Sequence, residues 1–279
     1  MPELPELEVV REVLTNRVVG QTIEGVEVIR PGGPIVVRDL THGGFDSALT
    51  GATIATVTRR GKFLLFSLTK PEDAFYLALN PKLTGRLQLA SAKDKRLAKT
   101  HVLFTLSEAG QLRYVDQKQM GQLYLTRDLA SVPDYAGLGP EPFDISAEDF
   151  RARLKPFRGE IKGVLTRGEF IAGIGNAYAD EILWVAQIHP YRKRTSLTAG
   201  EIERLYEAMQ SVLREATEKV RAGIGEAIHL ERRDFMAVHM KTGQPCPRCG
   251  GRISMVGANQ RITNYCQTCQ PGGLIKGME

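Results

Sequence analysis

Four cysteines, the only ones in the chain, stand at Cys246, Cys249, Cys266 and Cys269, two C-x₂-C pairs sixteen residues apart. Each pair can grip a tetrahedral ion from a tight turn, and the interval suits a β-hairpin that brings the pairs together. Disulfides are the competing use, but vicinal C-x₂-C pairs fit a metal better, and an intracellular chain keeps its thiols reduced. Four thiolates fill the shell of one structural Zn²⁺ and leave no position for water, so the metal would fold a module and do no chemistry. The reactive groups must then lie elsewhere, and the start of the chain, "MPELPELE", offers a candidate. Methionine before proline is expected to be removed, leaving Pro2 as a secondary amine. Unperturbed terminal amines titrate near ~7.7–8.0, and a helix N-terminus lowers that value, so much of the amine would be neutral and nucleophilic. Attack by such an amine on a sugar C1′ gives an iminium, an electron sink that labilises the neighbouring C2′ proton. Glu3 and Glu6 are placed to act as acid, base or positioning groups. A Pro/Glu-rich first helical turn would explain the same residues without chemistry.

Two further stretches could hold an anion. "ANQRITNYC" puts Arg261 at the expected tip of the cysteine hairpin, where a guanidinium can grip a phosphate bidentately; an exposed surface arginine is the plainer reading. "IAGIGNAYADEIL" places two glycines and Asn176 at the start of a helix, where backbone N–H groups can receive an anion, though tight turn packing accounts for the glycines alone. The 37 Lys and Arg exceed the 32 Asp and Glu by five. Seven basic residues against three acidic ones fall between His229 and Glu279. Together these features resemble a clamp for a nucleic-acid backbone, while a solvated basic surface would explain the charge by itself.

The elements that must position these groups are readable from periodicity. Leu7, Val10, Leu14 and Val18 fall at helical spacing, so residues 1–20 are predicted to form a helix closed by Gly20. Short β-prone runs follow from "TIEGVEVIR" to "QLRYVDQKQMGQLYLT", with a hairpin turn at "SEAGQ", which implies an antiparallel sandwich or barrel. "GLGPEPFD" marks a boundary near residue 140, and beyond it "SAEDFRARL", "NAYADEILWVAQI" and "TAGEIERLYEAMQSVLREATEKVRAG" read as helices. The expected organisation is α+β and multidomain: residues 1–137, a linker over 138–145, a helical domain over 146–225 and a zinc module over 226–279. At 279 residues, with 42% hydrophobic and 25% charged composition, the chain can bury sizeable cores. No apolar run approaches the ~18 residues a membrane span needs, and acidic residues stand where a secretory leader would be basic. An intracellular, cytoplasmic and nucleoid-associated protein is expected.

The set "MPELPELE", "RRGKFLL", "LTGRL", "LRYVD", "LGPEPF", "IAGIGNAYADEIL", "QIHP" and "CPRCG…RITNYCQTCQ" resembles, in order and over nearly the whole chain, formamidopyrimidine-DNA glycosylase and its sister endonuclease VIII. The resemblance implies an N-terminal helix with an antiparallel β-sandwich, a helix-two-turn-helix domain and a zinc finger, gripping double-stranded DNA that carries oxidised bases or abasic sites. It implies that Pro2 is the Schiff-base nucleophile, that Glu3 donates the proton that opens the sugar, and that Lys62 assists β-elimination. Asn176 and Arg261 would hold the phosphate of the flipped nucleotide, Arg261 would aid δ-elimination, and Lys162 would meet another phosphate. Flipping is required because a stacked C1′ is closed to an amine. A non-catalytic damage-binding protein of the same fold is the alternative, although it would have no reason to keep Pro2, Glu3 and Lys62 together.

The chain departs from the family pattern in three places. The stacking wedge would be Leu83, within Asn80-Pro81-Lys82-Leu83, instead of a methionine. In Asp116–Gly121, Lys118 stands for the arginine that reads the orphaned base and Met120 for a phenylalanine wedge. A lysine lacks the planar fork, which puts a preference for cytosine in doubt. The stretch from Gly223 to Cys246 is several residues short of the loop that closes over 8-oxoguanine, so formamidopyrimidines, hydantoins or oxidised pyrimidines are expected to be favoured. One clamp per chain implies a monomer.

Overall fold

The computed structural model describes residues 1–108, 110–258 and 261–272, with the side chains of residues 258 and 261 outside that description. The chain condenses into two compact units, Met1–Gly137 with Lys219–Arg232, and Leu138–Glu218 with Arg233–Glu279.

The first unit begins with helix α1 (Leu4–Val18), shorter than the predicted 1–20 because Glu3 caps it in extended conformation and Val19 leaves it in extended conformation. Its buried face, Leu7, Val10, Leu14 and Val18, is the one its spacing predicts. Strand β1 (Ile23–Val28), the short helix α2 (Gly33–Val36), β2 (Val37–Asp39) and the short helix α3 (Phe45–Leu49) lead into β3 (Thr53–Arg60), β4 (Phe63–Lys70), β5 (Asp73–Asn80), β6 (Gly85–Ala90), β7 (Thr100–Leu106), β8 (Gly110–Asp116) and β9 (Gln122–Thr126). They form a four-stranded sheet, β1-β7-β8-β6, and a five-stranded sheet, β2-β9-β5-β4-β3. Every pairing is antiparallel except β2 with β9, which is parallel. Phe104, Leu112 and Tyr114 of one sheet share a core with Phe66, Leu77 and Leu125 of the other. This is the expected sandwich, with the predicted β7–β8 hairpin in it.

The second unit holds α4 (Ala147–Leu154), α5 (Ile161–Leu165), α6 (Asn176–Ala186) and most of α7 (Ala199–Ile224), then the hairpin β10 (Ile253–Ala258) and β11 (Arg261–Cys266). Ser146 caps α4 by accepting from the Asp149 amide at 3.0 Å, as its sequence predicts. Phe150, Phe170, Ile182 and Leu213 lie in the core of the helices. The division into units cuts across the boundary expected at residues 225 and 226. Ile228 is buried in the sandwich core, and Arg221 makes two 2.8 Å bonds to Glu12, so Lys219–Arg232 belong with the first unit. Among the described residues no helix is long and apolar enough to cross a membrane.

Candidate active site and metal centre

Pro2, Glu3 and Glu6 are all buried at the start of α1, with Glu3 only 1% exposed. The Glu3 amide donates to Glu6 Oε2 at 2.9 Å, so Glu6 fixes the backbone that follows Pro2. Lys62 sits in the two-residue turn between β3 and β4, after Gly61 with φ +58°. A positive φ at the first central position is what tight hairpin turns of the II′ type need, and only glycine adopts it without strain. Helix and turn are tied together by one side chain. Arg59 Nε donates to Glu8 Oε2 at 2.7 Å, and its Nη1 donates to the Gly61 carbonyl at 3.1 Å. Burial raises the Glu8 pKa, but Arg59 and Arg11 outweigh it, so the carboxyl is held below its ordinary value. Glu8 and Arg59 carry no chemistry of their own, which is why composition and motif did not single them out.

Leu83 and the pair Lys118 and Met120 lie on two loops, one joining β5 to β6 and one joining β8 to β9. Leu83 is half-buried, Lys118 is exposed, and Met120 is 48% exposed. A single carboxylate holds both loops. Asp116, fully buried, accepts from Gly121 N at 2.8 Å, the Tyr114 hydroxyl at 3.1 Å, Lys118 N at 3.2 Å and the Thr84 hydroxyl. Thr84 Oγ1 in turn accepts from Lys118 N at 3.0 Å, which closes the network between the loops. Burial, reinforced by the nearby Asp116 charge, pushes the Tyr114 pKa up and keeps its hydroxyl a donor. Gly121 is required here, since a Cβ would stand 1.8 Å from the Tyr114 hydroxyl.

In the second unit Asn176 and Lys162 converge on the zinc hairpin. Asn176 Nδ2 donates to the Ile262 carbonyl at 2.7 Å, and Lys162 Nζ donates to the same carbonyl at 3.1 Å and to Thr263 Oγ1 at 2.8 Å. Lys162 is buried and also pairs with Asp180 Oδ1 at 2.6 Å, so its ammonium serves as a link between α5, α6 and β11. Arg261 opens β11 opposite Ala258, next to Ile262, and its side chain lies outside the described residues. The structure therefore brings Asn176 and Lys162 beside the backbone that carries Arg261. Two acids of α6 complete the junction. Asp180 meets His239 Nδ1 at 2.8 Å, and Glu181 accepts the amides of Ala237, Val238 and His239 at 2.8–2.9 Å. Burial pushes the Glu181 pKa up while those three amides oppose it.

The four cysteine sulfurs lie within 4.8 Å of one another. A tetrahedron with Zn–S arms of ~2.3 Å has edges of about 3.8 Å, and the Cys246–Cys269 and Cys249–Cys266 sulfurs are 3.8 and 3.5 Å apart. The donor set and spacing fit one structural zinc, with all four positions taken by protein. Burial disfavours the Cys246 thiolate, but the Arg248 amide and the Trp184 indole overcome it and bring the pKa down to about 6. Cys269 is pushed up to about 12, by burial first and then by its sulfur neighbours. Trp184 Nε1 lies 3.4 Å from Cys246 Sγ and Arg248 stacks 4.2 Å above the indole, so the module is keyed to α6.

Known proteins carry the same plan. Residues 1–123 match the formamidopyrimidine-DNA glycosylase N-terminal domain, residues 138–227 its H2TH domain, and residues 243–272 the zinc finger found in FPG and IleRS. A formamidopyrimidine-DNA glycosylase of Pelotomaculum thermopropionicum is 38% identical over 97% of this chain and 99% of its own length, and one of Bacillus cereus is 37% identical over the same shares. The Lactococcus lactis Fpg in complex with abasic-site DNA superposes with TM-score 0.83 at 31% identity, over 97% of this chain and all of the other. A structure of MutM in complex with DNA containing carbocyclic 8-oxo-G gives TM-score 0.84 at 32% identity with the same coverage. Fold, metal centre and terminal cluster thus agree with sequence likeness over nearly the full length, and the chain belongs to the formamidopyrimidine-DNA glycosylase family.

Proposed function

We propose that this protein is a base-excision-repair DNA glycosylase and abasic-site lyase that works through Pro2. With Met1 removed, the Pro2 nitrogen attacks C1′ of an everted nucleotide, the glycosidic bond breaks, and the base leaves with the bonding electrons and a proton. Glu3 supplies the proton that opens the sugar, leaving an iminium between Pro2 and C1′. Loss of the C2′ proton then expels the 3′ phosphate, with Lys62 as proton donor, and a second elimination aided by Arg261 expels the 5′ phosphate. Asn176, Lys162 and Arg261 hold the strand, while Leu83, Lys118 and Met120 fill the space the nucleotide leaves. The zinc supplies no step; it folds the hairpin. The substrate is double-stranded DNA inside the cell, met by a monomer.

The observation that carries this reading is the buried cluster of Pro2, Glu3 and Glu6, joined through Glu8 and Arg59 to the turn bearing Lys62. Formamidopyrimidines, hydantoins and oxidised pyrimidines are favoured over 8-oxoguanine, because Ile228 and Val238 spend the short stretch after α7 on core packing. Lys118 makes the choice of opposite base less strict than an arginine would.

Borohydride reduces the iminium at C1′ and so traps the covalent complex. Wild-type protein is expected to trap on abasic-site DNA with the adduct on residue 2, and Pro2→Gly to trap far less. An adduct on another residue refutes the mechanism; no adduct at all favours a damage-binding protein without chemistry.

A further inference from the structure

The pocket beside Pro2 has two polar walls that the reaction above leaves unused. Pro2, Leu7, Leu64, Leu87 and Leu230 make most of its lining apolar, and Glu6, Arg86 and Glu231 are its charged groups. Glu6 is engaged by the Glu3 amide at 2.9 Å. Arg86 and Glu231 are hydrogen-bonded to each other, with Arg86 Nη1 also donating to the Gly85 carbonyl at 2.8 Å, which fixes the plane of the guanidinium. Glu231 Oε1 lies 3.3 Å from the terminal nitrogen of Met1, so the carboxylate is at the end of the chain that carries the nucleophile. Glu231 belongs to the segment that packs with the first unit, where Ile228 is buried in the core and anchors it.

We propose that Glu231 and Arg86 read the base that enters this pocket. An apolar site with a few fixed polar groups is the usual form of a small-ring binding site. A carboxylate only accepts hydrogen bonds and a guanidinium only donates them, so the pair is complementary to an edge with an N–H beside a C=O. Cyclic imides and ureas present that edge, and their N–H is more acidic than an amino group, which strengthens its bond to a carboxylate. Hydantoins and oxidised pyrimidines are substrates of this class. The inference rests on the Pro2 reading, since it assigns the base to the same pocket.

The test compares two reactions of the full-length protein under single turnover, excision of a hydantoin and cleavage of an abasic site in the same duplex. Only the first has a base to read. In Glu231→Ala the ratio of excision to abasic cleavage is expected to fall about 10- to 100-fold, the effect of losing a hydrogen bond to a charged group. Glu231→Gln should fall between this variant and wild type, and it carries the test if the alanine variant does not fold. An unchanged ratio, or an equal fall in both rates, overturns the assignment while leaving the lyase standing. Failure of the wild type to cleave the abasic duplex overturns the Pro2 reading, and this inference with it.

Discussion

Asp116→Ala tests whether one buried carboxylate holds the two loops of the sandwich. Of its four donors, the Tyr114 hydroxyl and the Gly121 amide are buried, while the Lys118 amide and the Thr84 hydroxyl reach solvent on rearrangement. Each buried donor left without a partner costs about 1–3 kcal/mol, so the two together put the loss near ~4 kcal/mol. Asp116→Asn keeps the shape and one acceptor oxygen, and should cost about half as much. A unit of about 150 residues moves its melting midpoint by roughly 2–4 °C per kcal/mol, so the alanine variant should melt about 10 °C lower by far-UV circular dichroism. A loss under about 1 kcal/mol, or equal losses for alanine and asparagine, would refute the assignment of these bonds as the anchor. Excision should suffer as well, because Leu83, Lys118 and Met120 would lose a common support.

Two further outcomes concern the second unit. Glu201 is held down to about 2 by its bonds to Arg192, against an ordinary 4.5, so its contribution is complete above pH 4.5 and is lost as the pH falls towards 2. Glu201→Gln should cost about 1 kcal/mol at pH 7 for this partly solvated pair and nothing at pH 2, as read from urea midpoints. Stripping the zinc with a chelator should change the fluorescence of Trp184, the sole tryptophan, since its indole touches Cys246 and Arg248, and should leave the sandwich intact by circular dichroism. An unchanged emission spectrum after the metal has left would show that the indole is not keyed to the module.

Residues that bear chemistry were legible because their type and spacing are local. The cysteine pairs define a metal site within a window of 24 residues, and the apolar period of α1 shows which face is buried before any partner is known. The β7–β8 turn and the Ser146 cap are equally local. The parallel pairing of β2 with β9 was not legible, because a three-residue strand carries no signal of which neighbour it joins or in which direction. The return of residues 219–232 to the first unit was hidden for a similar reason. The amphipathic period of α7 runs on without a break across the division, so nothing in it marks where one core ends and another begins.

The positioning residues form a third class, and their invisibility follows from what they do. Glu8 and Arg59 are 51 positions apart, Thr84 and Asp116 are 32 apart, and Glu181 and Val238 are 57 apart. Each pair is unremarkable in its own window, a charge or hydroxyl where a solvated one would also fit. Only the tertiary fold removes water from Asp116 and Glu181 and so makes their hydrogen bonds obligatory. Motif reading therefore finds the groups that react, while the groups that aim them emerge only once burial is known. Asp116 shows the difference within one stretch: its loop was singled out for Lys118 and Met120, yet the carboxylate that fixes both is the residue on which that loop's geometry depends.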